Sequence, residues 1–334
     1  MPATDISLDV LGSTERLNAF EPEWQGFLQR IGATVPFQTP EWLLTWWKHF
    51  GGSEPRVFVF RRNAQIAGVI PCFLHEWKSR RQMTLMGSGI SDYLDPVIEP
   101  RNCQAIMETL TAYLRQSEEW DVLDWQDLSG GTPLAAVGDV AQDTPCNEVK
   151  LAPDFDTFLA SRPSHLKKNL RYYERKASGM GNIEFSVSEQ ADPKLIATLI
   201  EQHSARWREA GQPGTIAANG MSAFLQEVTT VLAKRNMLRI FTLTFDAAVV
   251  AIVFALRMGE ALFSYLTAFD PAYKQYSFGH ELLSRAFQYA HENGYRRWDF
   301  LRGDEQYKVA WGAQRIPKFR ILATKFRQRI ERVA

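Results

Sequence analysis

Cysteine is scarce in this chain of 334 residues, and the spacing of the few cysteines excludes two classes of site. The three cysteines, Cys72, Cys103 and Cys146, stand far apart and form no C-x-x-C pair. Thiols in this pattern are typical of a reducing compartment, so we expect a cytoplasmic protein without a disulfide scaffold. The six histidines include no H-x-x-x-H pair, so we expect no metal site.

The sequence also lacks an excess of charge and a long apolar run. Lys+Arg and Asp+Glu both number 38, which argues against a chain-wide surface for nucleic acid or anionic lipid and leaves only a local patch for any polyanion. The longest apolar run, 247–256, is about half the ~20 residues of a membrane-spanning helix. The first residues show no basic and apolar signal regions. We therefore expect a soluble protein with no membrane span.

The order of predicted elements repeats in the two halves of the chain. Each half is predicted to run strand, two helices, three strands, helix, short strand, short helix, strand. A period of about 170 residues is too long for a solenoid and indicates a duplicated fold. We predict an α/β (α+β) protein with two domains, 1–152 and 153–334. Each domain is expected to hold a mixed, mostly antiparallel sheet flanked by helices.

Four segments of the second half resemble a known family. They are Arg206-Trp207, GQPG at 211–214, YKQYSFGHELL at 273–283 and WDFLRGDEQYK at 298–308. They resemble the CelD/BcsL-like family of GNAT-type acetyltransferases, which is linked to bacterial cellulose and exopolysaccharide production. That family is similar in turn to the Fem-type transferases, which have two tandem GNAT-like domains. The resemblance covers residues 155–315 and implies an acyltransferase that uses acetyl-CoA or another acyl-CoA as co-substrate.

The loop that leads into a predicted helix near residue 280 is the candidate acyl-CoA site. A helix N-terminus offers free N–H groups and the positive end of the helix dipole, which together bind a diphosphate. The GNAT pattern R/Q-x-x-G-x-G/A aligns best with Lys274-x-x-Ser277-x-Gly279. The resemblance therefore implies that Lys274, Ser277, Phe278, Gly279 and His280 hold the cofactor. The alternative is an ordinary helix-entry loop.

Direct acyl transfer requires an acid and a base but no covalent nucleophile. The resemblance places Tyr307 where a GNAT tyrosine commonly protonates the leaving thiolate. Asp299, Asp304 and Glu305 are the candidate bases. Each could instead be structural, since Asp299 has arginines nearby in the sequence and the other two carboxylates suit a helix N-terminus.

Several further positions are candidates for substrate binding. Lys308 belongs to a Tyr-Lys pair shared with the Fem-type enzymes, which implies a contact to a substrate or phosphate. Arg206 and Trp207 resemble positions that line the acceptor side, with core packing as the alternative for Trp207.

The corresponding loop of the first half has a different composition. There Gly87-x-Gly89 is followed by Asp92 and Asp95, and this carboxylate pair would repel a diphosphate. We expect the first domain to have lost acyl-CoA binding and its loop, with Asp92 and Tyr93, to form a substrate wall. A polar turn is the alternative.

A helix predicted over 164–177 has five basic residues and one acid. Lys167, Arg171 and Arg175 share one face, which could hold a tRNA acceptor stem, a nucleotide sugar or the 3′-phosphate of CoA, or could be merely solvated.

Three functions stay open. The first is acyl-CoA-dependent N- or O-acylation of a small-molecule, glycan or peptide acceptor in exopolysaccharide or cell-envelope metabolism. The second is Fem-type transfer from aminoacyl-tRNA. The third is a catalytically silent accessory protein that binds the polysaccharide-synthesis machinery.

Overall fold

The computed structural model of the chain describes residues 6–52, 54–209, 211 and 220–325, which form two compact units. Unit 1 comprises the residues up to Thr144 and those from Pro317 onward, and unit 2 comprises Pro145–Ile316. The described strands are β1 (Ile6–Leu11), β2 (Glu54–Arg62), β3 (Gln65–Trp77), β4 (Arg80–Leu85), β5 (Val97–Ile98), β6 (Val122–Ser129), β7 (Asp139–Lys150), β8 (Ile183–Ser188), β9 (Leu238–Phe245), β10 (Ala248–Met258), β11 (Ala261–Phe269), β12 (Arg297–Arg302) and β13 (Gln314–Thr324).

The described α-helices are α1 (Thr14–Ala19), α2 (Glu21–Ile31), α3 (Pro40–Trp46), α4 (Cys103–Gln116), α5 (Phe155–Ala160), α6 (Ser164–Ser178), α7 (Pro193–Glu209), α8 (Met221–Lys234), α9 (Phe278–Glu292) and α10 (Gln306–Ala310). Within the described ranges, none of them is long and apolar enough to cross a membrane.

The two sheets have the same strand order, which confirms the predicted fold class. In unit 1 the order is β1-β2-β3-β4-β6-β13, and in unit 2 it is β8-β9-β10-β11-β12-β7. Neighbours are antiparallel except for one parallel pair in each sheet, β4 with β6 and β11 with β12. Antiparallel neighbours need only short turns, whereas each parallel pair is joined by a crossover through a helix, α4 or α9.

The last strand of each sheet comes from the other half of the chain. Strand β7 follows β6 in sequence but pairs with β12, and β13 follows β12 but pairs with β6. The compact units therefore divide the chain at 144/145 and 316/317, whereas the sequence led us to predict one boundary at 152/153. The predicted boundary stays a prediction about independently folding domains.

Helix α9 attaches the crossover of unit 2 to its sheet. Its buried residues Leu282, Ala286, Phe287 and Ala290 recur at helical spacing and form one apolar face. The ring of Phe287 packs 4.9 Å, centroid to centroid, from that of Trp298 on β12. Burying one such side chain contributes roughly 1.5–3 kcal/mol, so this face holds the N-terminus of α9 firmly at the edge of the sheet.

The parallel strands of unit 2 separate soon after they pair. The β11–β12 ladder ends at Phe263 and Asp299, whereas β11 continues for six more residues. A register shift against β10 leaves Tyr265 as an extra residue, and such a bulge bends a strand away from its neighbour. On β12, Leu301 adopts a left-handed conformation with φ of 58°, which turns that chain as well. A gap opens between the two strands.

In unit 1 the equivalent gap is filled by the chain itself. The β4–β6 ladder ends at Thr84 and Asp124, after which the loop 87–95 packs beside β6. The backbone N–H of Leu94 donates to the carbonyl of Asp127 at 3.0 Å, and its side chain is buried in the apolar core of this unit. Asp92 and Tyr93, the predicted substrate-binding residues of the first half, are buried in this same loop.

Candidate functional site

A cavity of about 260 Å³ lies in unit 2 beside the open gap. Strand β11 contributes Thr267 and Phe269 to its wall, and the N-terminus of α9 closes one side. Seven residues predicted from the sequence line it: Arg206, Lys274, Ser277, Phe278, Gly279, His280 and Tyr307. Residues far apart in the sequence therefore meet at one place.

The loop before α9 presents a helix N-terminus to this cavity. Ser277 is the N-cap residue and has a φ of 53°, a conformation that favours glycine, which explains why the GNAT pattern has glycine here. Its side chain makes no capping hydrogen bond with the described part of the chain. The first N–H groups of any helix lack intrahelical acceptors, so α9 can donate them to an anion. Lys274 adds an exposed positive charge.

Gly279 leaves space above that N-terminus. A Cβ atom added there would meet only the ring of Phe269, at the ordinary contact distance of 3.7 Å. The fold itself therefore tolerates a side chain at this position, and a glycine keeps the backbone accessible to a ligand.

Tyr307, on α10, lines the same cavity. Burial and the nearby carboxylate of Glu305 raise the pKa of Tyr307, whereas the charge of Arg206 and a hydrogen bond with Thr267 oppose this rise. The phenol is therefore protonated at neutral pH. It can donate a hydrogen bond to an atom that gains negative charge during a reaction.

His280 lies in the first turn of α9, and its ring centroid is 6.4 Å from that of Tyr307. Burial lowers the pKa of His280, so that the imidazole is neutral at pH 7. Its Nδ1 atom is buried and finds no hydrogen-bond partner among the described residues. A neutral imidazole in a cavity can accept a proton, a role that sequence reasoning did not assign to this residue.

A second cavity, of about 400 Å³, adjoins the first. Ser277, His280 and Tyr307 line both cavities. Helix α6 forms another wall of the second cavity, and Glu281 contributes a carboxylate. Sequence reasoning missed Glu281, although it follows directly on the predicted loop. The only signal was its place in the first turn of α9.

Glu305 and Lys308 form a pair beside the cavities and line neither of them. Their side chains lie 3.0 Å apart, and the Nζ atom of Lys308 donates to the carbonyls of Arg302 and Gly303. Lys308 is only 3% exposed, and the hydrogen bonds of its Nζ atom stabilise the turn after β12. The predicted substrate contact of Lys308 and the predicted base role of Glu305 stay predictions.

The other two candidate bases lie in different surroundings. Asp299 is fully buried, and its Oδ1 atom accepts a hydrogen bond of 2.8 Å from the backbone N–H of Leu301. That bond supports the left-handed turn that opens the gap. Asp304 is exposed and pairs with Arg315 at 2.8 Å. Neither aspartate is among the residues that line the two cavities.

Arg206 reaches the first cavity from α7, where its guanidinium lies 5.2 Å above the ring of Phe269. The side chain of Trp207 lies outside the described residues, as do residues 212–214 of the segment that carried the family resemblance. Within the described ranges, no group of three or more histidine, cysteine or acidic side chains could hold a metal ion.

Helix α6 carries the predicted basic stripe. Leu166, Leu170 and Ala177 are buried, whereas Arg171 and Arg175 are exposed. Lys167 is half-buried, and its Nζ atom donates to the carbonyl of Ala160. It is therefore less exposed than the two arginines with which the sequence grouped it. Lys168 and Tyr172 are exposed on the same side as the two arginines.

Residues 164–309 match the family model described as "Acetyltransferase (GNAT) domain". The match falls within unit 2 and includes the described lining residues of both cavities except Ala310. A comparison with curated protein sequences finds no significant match. The second unit thus has the fold of a GNAT acetyltransferase domain.

Solved structures resemble the whole chain. FemX matches with a TM-score of 0.65 and 11% identity over 94% of this chain and 96% of its own. The C-terminal domain of a putative lysylphosphatidylglycerol synthetase from Agrobacterium fabrum matches with 0.60 and 12% identity over 93% and 92%. A tandem GNAT protein from the clavulanic acid biosynthesis pathway matches with 0.53 and 10% identity over 95% and 98%. At these identities the likeness concerns the fold.

The surroundings of the two aspartates predict different effects of substitution. Asp299→Ala leaves the N–H of Leu301 without its acceptor inside the protein, so we expect a loss of about 1–3 kcal/mol in the free energy of unfolding. Asp304→Ala removes an exposed ion pair and should cost under about 1 kcal/mol. Urea unfolding measures both. An Asp299→Ala protein of unchanged stability but without transferase activity would contradict the structural role and favour the catalytic one.

Proposed function

We propose that unit 2 transfers an acyl group from an acyl-CoA directly to an amine or hydroxyl acceptor. The observation that carries this proposal is that a helix N-terminus, a protonated tyrosine and a neutral histidine line one cavity beside the gap between β11 and β12. The first group is suited to bind a diphosphate, and the other two are suited to move protons.

The first cavity has the charges that such a donor requires. Lys274 and the N-terminus of α9 would hold the diphosphate, and Arg206 would add a second cation nearby. Phe269 and Phe278 provide apolar surface for the chain that carries the thioester. Among the described residues, Asp270 is the one acid on the wall, and its side chain accepts a hydrogen bond from the backbone N–H of Ala272.

The reaction then needs only proton transfers at named atoms. The acceptor nitrogen or oxygen attacks the thioester carbonyl carbon while the imidazole of His280 takes its proton. The tetrahedral intermediate collapses by breaking the carbon–sulfur bond, and the Tyr307 hydroxyl donates its hydrogen to the departing sulfur. Burial raises the pKa of Tyr307. The same desolvation raises the pKa of the departing thiol, so both groups favour their protonated forms in this cavity. His280 then releases its proton to solvent and Tyr307 takes one from solvent, which restores both groups.

The acceptor's biological setting stays a prediction. The family resemblance suggests exopolysaccharide, cellulose or cell-envelope metabolism in the cytoplasm, with the polysaccharide-synthesis machinery as a candidate partner. Unit 1 supports the proposal in another way. Its gap is filled by loop 87–95, so unit 2 is the unit in which a donor could enter a gap.

Binding of acetyl-CoA tests the donor site. Gly279→Asp places a carboxylate where the diphosphate would lie, and we expect the affinity to fall at least about tenfold by charge repulsion. Gly279→Asn is the matched control, since it has nearly the same shape without the charge and should lose less. Isothermal titration calorimetry measures both. Wild-type protein that does not bind millimolar acetyl-CoA would refute the donor assignment.

The pH dependence of acetyl transfer tests the two proton carriers, with one amine acceptor used throughout. Because burial lowers the pKa of His280, its neutral form is lost only as the pH falls below about 6.5, and kcat/KM should decline there. His280→Gln should remove this acidic limb and lower kcat/KM by about 10²-fold. Tyr307→Phe should lower kcat and keep the limb.

His291→Gln, on the same helix but outside both cavities, is the control and should keep the acidic limb as well. An unchanged pH profile in His280→Gln would remove the histidine from the mechanism.

Transfer from aminoacyl-tRNA is the second candidate, and a specific observation favours it. The exposed side of α6 carries Lys168, Arg171 and Arg175 around Tyr172, which is 54% exposed. A cationic face with an accessible aromatic ring suits a nucleic acid. FemX and the lysylphosphatidylglycerol synthetase domain share the fold over nearly the whole chain, in agreement with this candidate.

Charge reversal on α6 separates the two candidates. If tRNA is the donor, Lys168→Glu with Arg171→Glu should weaken tRNA binding at least tenfold and flatten its salt dependence, as electrophoretic mobility shifts would show. Lys234→Glu with Arg235→Glu, at the end of α8, serves as the control of equal charge. Binding of acetyl-CoA that survives both changes, with no saturable tRNA binding, would exclude tRNA. Binding of neither donor would favour a silent accessory protein.

A further inference from the structure

The two adjoining cavities of unit 2 differ in charge. The first is lined by the cations Arg206 and Lys274, and the one acid among its described lining residues, Asp270, accepts a hydrogen bond from a backbone N–H group. The second has the carboxylate of Glu281 on its wall, and no lysine or arginine is among its lining residues in the described part of the chain. An anionic donor would therefore favour the first cavity, and a cationic acceptor would favour the second, where Glu281 also pairs with Arg285.

Glu281 has the properties of a binding group. It is only 7% exposed, although it lies in the first turn of a helix whose end reaches the surface. Arg285 contacts one of its oxygens, with 2.6 Å between Nε and Oε1, and holds the carboxylate in position from the next turn. A carboxylate accepts several hydrogen bonds, so the group retains capacity for an ammonium ion.

The remaining wall offers hydrogen bonds from uncharged groups. Helix α6 contributes His165, Asn169 and Tyr173, and α10 contributes Gln306. Amide, imidazole and phenol groups both donate and accept, which suits the hydroxyls of a polyol. The volume of about 400 Å³ is at the small end of ligand pockets and fits a compact molecule.

We propose that the second cavity is the acceptor site and that it takes a small polyhydroxylated primary amine, such as an amino sugar without a nucleotide. This inference rests on the proposed function and specifies its acceptor. The ammonium binds at Glu281 and loses one proton to solvent, which gives the nucleophilic amine. His280, at the junction of the two cavities, takes the second proton as the nitrogen attacks. A nucleotide sugar is disfavoured because none of the described residues that line the cavity is a lysine or arginine that would hold its diphosphate.

The proposal also assigns a direction to the reaction. The acceptor approaches the thioester carbon from the second cavity, and the donor occupies the first. Ser277, His280 and Tyr307, which line both, surround the reacting atoms. The amide product has lost its positive charge, so it no longer pairs with Glu281 and leaves.

Direct binding without donor tests the acceptor site. Glucosamine, N-acetylglucosamine and UDP-N-acetylglucosamine are titrated into the full chain by calorimetry at pH 6.5, where glucosamine is protonated. We expect glucosamine to bind at least tenfold more tightly than either of the other two. Glu281→Gln should remove this preference. Glu292→Gln, at the far end of the same helix, should retain it.

A steric pair of variants locates the binding. Ala310→Phe fills the second cavity from α10 and should abolish glucosamine binding while acetyl-CoA still binds. Val309→Phe, at a neighbouring position that is 66% exposed, should leave both unchanged. Circular dichroism confirms that each variant is folded.

Two results would overturn the proposal. One is a loss of acetyl-CoA binding in Ala310→Phe with glucosamine binding intact, which would make the second cavity part of the donor site. The other is equal affinity of the wild type for glucosamine and N-acetylglucosamine. Either result could occur while wild-type protein binds acetyl-CoA and the His280 pH profile behaves as expected. Failure of this inference is therefore distinct from failure of the proposed acyltransferase function.

Discussion

The separation of two parallel strands is the constraint on which the site depends. Strands β11 and β12 pair over only three residues each, after which the bulge at Tyr265 and the left-handed Leu301 turn them apart. A closed ladder would place the backbone of β12 where the cavity now lies. The buried carboxylate of Asp299 accepts a hydrogen bond from the N–H of Leu301 at this turn, and its predicted role as a base stays a prediction.

The duplicated unit shows what happens when the same gap is filled. In unit 1 the loop 87–95 inserts Leu94 beside β6, and the carboxylate of Asp95 accepts hydrogen bonds from Ser129. Helix α4 corresponds to α9. Glu99 lies close to its N-terminus and forms ion pairs with Arg30 and Arg101. These internal contacts fill in unit 1 the position that stays open in unit 2.

Burial sets the protonation of the two groups that face the open gap. Burial lowers the pKa of His280 and raises that of Tyr307, and both shifts favour the neutral form. A neutral base and a protonated acid can therefore coexist at neutral pH, as general acid–base catalysis requires. The charged residues that line the cavities are Arg206 and Lys274 in the first and Glu281 in the second.

The sequence alone determined the fold class, because the order of strands and helices appears twice and hydrophobic periodicity depends only on local backbone geometry. It also identified the loop 274–280 and Tyr307 as candidate site residues, since a helix N-terminus and a family motif are local signals. It could not determine that β7 and β13 complete the other half's sheet, that Glu281 lines a cavity, or that Asp92 and Tyr93 are buried. Only the tertiary structure decided these points. Strand pairing, burial and cavity walls arise from contacts between residues that are distant in sequence, and those contacts leave no local pattern.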